Sequence, residues 1–187
     1  LIKKIKMKFA ISFIAILLYA TSAFAGHKLH PEIDITGAFG LKEHGTYDID
    51  ESQSSTGSLR VKVMYDINPK ISAGIGCGLD GYHYPDYNTF PVFASASYFP
   101  FKKRKFHVMS DLGYSPKISE NFEKGMLFDL GVGYRTFFRE YFGMNFFIYY
   151  NLKQFKKNET LMFDDKPYTY KYNQKRHSIA FGLGFVF

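Results

Sequence analysis

The 187-residue chain has one cysteine, no tryptophan and no apolar run long enough to cross a membrane as a helix. With Cys77 alone, no intramolecular disulfide can form, so the fold is held without crosslinks. The missing tryptophan leaves any interfacial aromatic role to 15 tyrosines and 21 phenylalanines. The longest apolar stretch, Phe9 to Ala20, falls short of the about 20 residues a helical span needs. No amphipathic helix of useful length and no internal linker follow it. No basic stripe with interleaved aromatics marks a nucleic-acid surface, which excludes that class of partner.

The short apolar stretch has another reading. Lys3, Lys4, Lys6 and Lys8 precede it, and Ala23-Phe24-Ala25 follows with small residues where a signal peptidase reads. That order predicts a cleavable helical signal peptide over residues 1–25 and a mature start at Gly26. Met7 would serve as well as Leu1 as the first residue, since Met7-Lys8 and the apolar core still make a signal. Four lysines and no acids leave with residues 1–25, lowering the net charge from +7 to +3. The basic balance is therefore largely an export feature.

Residues 26–187 suit one domain, and what recurs in them is period-two alternation. Eight strands are expected near residues 32–42, 57–67, 71–80, 89–99, 106–114, 125–136, 142–152 and 176–187. One parity of every strand lacks charge altogether. It reads Ile33, Ile35, Gly37, Phe39, Leu41 in the first strand and Ile179, Phe181, Leu183, Phe185, Phe187 in the last. The opposite parity holds Asp34, Lys42, Arg60, Lys62, Asp66, His107, Asp111, Asp129, Arg135 and Arg176, along with most of the glycines. An outward Lys or Arg at a bilayer midplane costs about 2–4 kcal/mol, so lipid would enforce this segregation. A soluble barrel would turn the apolar set inward, but eight strands leave an interior too narrow for so many Phe, Tyr and Leu side chains. Connections alternate between short turns and longer polar segments (43–56, 81–88, 115–124, 153–175), as membrane barrels do. Pro91 makes the fourth strand the weakest, because proline removes a ladder donor.

Ending on an aromatic residue after such alternation, the chain resembles the small eight-stranded OmpA/OmpX-type outer-membrane barrels. The resemblance implies an all-β, antiparallel, up-and-down transmembrane barrel at the cell outer membrane. It also implies a C-terminal strand read by the barrel assembly machinery, and outer-membrane lipids and lipopolysaccharide as partners. The resemblance is one of pattern, and the architecture hosts unrelated activities.

Three functional classes compete. In the first, the lumen charges form a salt-bridged plug and the protein has a structural or surface-interaction role. In the second, the same charges line a narrow selective channel. The third is a lipid A-modifying enzyme. Lipid A deacylases of this barrel size use a His and a Ser two residues apart on the lipid side. Here Ser110 has Val108 and Leu112 at that spacing, and the adjacent His177 and Ser178 point to opposite faces. His44, Asp48 and Ser52 share a loop region but match ordinary loop composition. His27 and His30, or Glu159 with Asp164 and Asp165, could attract cations, though solvated clusters are the commoner explanation. The expectation is a non-enzymatic barrel with no catalytic, cofactor or metal site. The tyrosine-rich segments 82–87 and 167–172 are either strand ends above the membrane or a surface for an extracellular ligand.

Overall fold

The computed structural model describes residues 28–45, 55–83, 87–119, 122–139, 142–163 and 166–187, with side chains except at residue 87 and residues 157–172. The expected signal peptide, and with it His27, Asp48, Ser52, Asp164 and Asp165, lies outside the described residues. The elements are β1 (Leu29–Gly45), β2 (Ser55–Asn68), β3 (Ile71–Tyr82), β4 (Tyr87–Thr89), β5 (Val92–Tyr98), β6 (Phe106–Ser115), β7 (Gly125–Arg139), β8 (Phe142–Phe163) and β9 (Lys166–Val186). Every ladder is antiparallel, each barrel strand pairs with its sequence neighbours, and β1 pairs with β9 from Glu32↔Val186 to Gly45↔Gln174. The sheet thus closes on itself as an eight-stranded up-and-down barrel, which removes the unpaired sheet edges.

β4 and β5 are two pieces of the expected fourth strand, parted at Phe90-Pro91. The proline ring supplies no donor there. Its carbonyl still accepts from the Gly78 amide at 3.0 Å, so the wall stays continuous on the β3 side.

The two ends of the barrel differ. At one end the turns are tight: Asn68 Oδ1 accepts from the amides of Lys70 (2.8 Å) and Ile71 (2.9 Å), an Asx turn beside Pro69. At the other end β8 and β9, of 22 and 21 residues, continue as a ribbon to Phe163↔Lys166. Much of the expected loop 153–175 is therefore strand, because the alternation of that segment carries the hairpin upward. Among the described residues, β1 pairs with it up to Gln174, and the segment leading into β7 bridges to it at Lys156.

The charge-free parity faces outward. Ile75 is 71% exposed and Phe39 64%, in company with Leu112, Val132, Phe146 and Phe181 around the wall. A contiguous apolar belt of that extent is incompatible with water and suited to hydrocarbon.

Candidate functional site

The inward parity fills the lumen with charge and aromatic rings. Five bases (Arg60, Lys62, Arg135, Lys153, Arg176) and seven acids (Glu32, Asp34, Glu43, Asp80, Asp111, Glu123, Asp129) are buried among the described residues. They are arranged in tiers along the barrel axis.

At the tight-turn end, Arg104 reaches over the mouth. Its guanidinium donates to Asp66 Oδ2 (2.8 Å) and Oδ1 (2.6 Å) and to Ser72 Oγ (2.9 Å), and it lies 4.3 Å over the Phe99 ring. Asp66 sits past Tyr65 at the rim, outside the spanning part of the wall. Partial burial raises its carboxyl, but the hydrogen bonds from Arg104 and Ser72 outweigh this and hold it below the ordinary carboxylate range.

One tier deeper, Lys62 Nζ sits 3.2 Å from Glu32 Oε2 and 2.7 Å from Asp34 Oδ2, and Arg135 donates to Glu32. His107 is buried here, stacked at a tilt on Phe99 and 3.4 Å from the Asn145 amide nitrogen.

The middle tier has a problem to solve. Asp111 and Asp129 are directly opposed on β6 and β7, where like charges repel. Arg60 crosses the lumen from β2 and donates to Asp129, with Asp111 at 3.5 Å and Asp80 at 3.8 Å. Ser95 donates to Asp111 at 2.5 Å and Asn151 donates to Asp129. Lys153, fully buried, reaches Asp80 from the opposite wall, while Thr89 donates to the same carboxylate at 3.0 Å. The Arg60 guanidinium also rests between Phe93 (5.4 Å) and Tyr149 (5.6 Å).

The last tier, beneath the ribbon, pairs Arg176 with Glu43, which also accepts from Gln174 at 3.1 Å. Tyr82 and Phe155 meet edge to face at 5.0 Å below the Arg176 guanidinium.

Most of the expected lumen charges are therefore present and mutually paired. Lys42 is the exception: it is exposed on the outer wall. The β1–β9 register shifts between Gly40 and Lys42, and the bulge at Leu41 reverses parity above it. Glu43 takes the inward place that alternation alone gives to Lys42. Reading the strands as lumen-charge carriers also passed over Glu32, Asp80 and Lys153, which share the inward parity at or just beyond strand ends. The lumen is less glycine-lined than expected from parity. Phe93, Phe99, Met109, Phe147 and Tyr149 are buried inside it, with Phe93, Phe147 and Tyr149 seated against inward glycines. His177 and Ser178 do point to opposite faces, Ser178 into the lumen and His177 outward against the Tyr150 hydroxyl.

No family model matches the sequence, and no curated protein does. Among solved structures the chain is similar to the outer membrane protein OprG from Pseudomonas aeruginosa, at 13% identity and a TM-score of 0.48, over 87% of this chain and 98% of that one. It is similar to Neisserial surface protein A at 14% identity and 0.46, over 83% and 96% of the two chains. A designed transmembrane β-barrel matches at 11% and 0.45, over 84% and 95%. The assignment itself rests on the closed ladder, the apolar exterior and the charged interior described above. On those grounds the chain is an all-β, eight-stranded antiparallel transmembrane barrel.

Proposed function

We propose that the protein is a non-catalytic outer-membrane barrel with an envelope-structural or surface-interaction role, its lumen shut by its own side chains. The observation that carries this reading is Arg60, which reaches across the bore to three carboxylates while wedged between Phe93 and Tyr149. Ions would have to displace a cation already satisfied by three acids, and the tiers above and below repeat the obstruction. The tight-turn end belongs in the periplasm and the ribbon end outside, following the usual asymmetry of these barrels. Lipopolysaccharide around the wall, the assembly machinery at the last strand and a ligand at the outer segments are the partners that fit this placement.

Planar-bilayer recording of the refolded protein should give no steady openings, and a variant lacking Arg60 and Lys153 should conduct. Steady, ion-selective openings by the unaltered protein would overturn the closed lumen. Lipid A from cells with and without the gene should be the same; an altered acyl pattern would overturn the non-catalytic role.

A further inference from the structure

Above the apolar belt, the outer wall changes character over three adjacent strands. The Leu41 bulge turns Lys42 and His44 outward on β1, and the ladder sets them beside His177 and Lys175 of β9. Continuing upward, Gln154 pairs with Lys175 and Lys156 with Asn173, and Lys156 bridges to Lys124. Lys42, His44, Lys156 and Lys175 are exposed, while Lys124 and His177 are half-buried. The rings of His44 and His177 meet edge to face at 6.1 Å, and Tyr150 holds His177 from the other side. Glu43, between Lys42 and His44 on β1, is buried in the lumen with Arg176. Among the described residues, then, the collar gathers four lysines and two histidines with no acid on its own face.

The height of the collar identifies what meets it. Ten residues separate Phe187 from His177 on β9. At about 3.3 Å per residue and a tilt near 40°, that is a rise of roughly 25 Å, the height of the apolar belt. The cations therefore project sideways at headgroup level, directly above Phe39, Tyr150 and Ile179. A soluble anion would use the lysines alone. A lipid uses both parts, with phosphate on the cations and acyl chains on the apolar wall beneath.

We propose that this collar is a binding site for a phosphate-bearing lipid headgroup of the outer leaflet. The site rests on the membrane orientation given above but not on the lumen being closed, so a conducting barrel would leave it intact. Retention is read by native mass spectrometry of the refolded full chain in detergent. The probes are bisphosphorylated lipid A, its dephosphorylated form and inorganic phosphate. Lipid A should be retained at least tenfold more than the dephosphorylated form, and a K42Q/K175Q variant should lose that preference while Lys103→Gln, in a tight turn, keeps it. Equal retention of the two lipids, an unchanged preference in the lysine variant, or inorganic phosphate competing at the same concentration as lipid A would overturn the proposal.

Discussion

Gly37 and Gly182 are close neighbours on β1 and β9, yet they face opposite sides of the wall. A Cβ at Gly37, toward lipid, meets nothing within 4 Å; one at Gly182 comes to 2.3 Å from the Phe147 ring and 2.6 Å from Thr36. The same contrast holds around the barrel. Outside, a residue needs only to be apolar, because the solvent there is fluid hydrocarbon. Inside, each side chain must fit its neighbours and satisfy its charge, because the lumen is packed as a protein core is. The inner face therefore specifies the structure and the outer face its environment.

Breaking the inner face should cost most. Arg60→Leu leaves Asp80, Asp111 and Asp129 buried without their shared cation, and should destabilise the barrel by about 3–5 kcal/mol in urea titrations of vesicle-refolded protein. A loss under 1 kcal/mol would mean the middle tier is hydrated and not a plug. Charging the outer face comes next. Phe181→Lys, midway up the apolar belt on β9 and directed to lipid, should cost about 2–4 kcal/mol by the same titration. No change there would place this part of the wall in water.

The sharpest test of the contrast is a matched pair. Gly131→Ala sets a Cβ 2.2 Å from the Ile148 carbonyl oxygen on the lumen side, whereas Gly37→Ala enters open space. The first should lose about 1–3 kcal/mol to overpacking and the second should stay within about 0.5 kcal/mol of the parent. The smallest effect is at the inner rim. Because the Asp66 pKa is depressed in the folded state, its stabilisation is present above the ordinary carboxylate value and is lost as pH falls through the folded value. A carboxyl NMR titration should place Asp66 below its unfolded reference, and Arg104→Gln should move the midpoint upward. An unmoved midpoint would remove Arg104 as the cause.

The wall was readable from residue types because its period is two and lipid tolerates no exception. Ile33 to Leu41 and Ile179 to Phe187 show this at the two closing strands. Lys42 was misplaced because a bulge inserts one residue without any composition signal: Gly40-Leu41-Lys42 reads as continuous alternation. Glu32 and Asp80 have the right parity but stand at strand ends, where pattern alone does not say how far the wall extends. Lys153 lies one residue past the expected strand, and only the ladder to Arg176 shows that the wall continues there. The cross-lumen partners were beyond any periodicity argument, since Arg60 and Asp129 meet only after the sheet has closed.

Arg104 adopts a φ of 50°, a left-handed conformation that is strained for L residues and free of strain only for achiral glycine. The turn from Phe99 to Lys105 would relax with glycine at that position, but glycine has no guanidinium to latch onto Asp66 and Ser72. Local comfort and closure of the inner mouth are thus in direct competition at one residue, and the fold has settled in favour of closure.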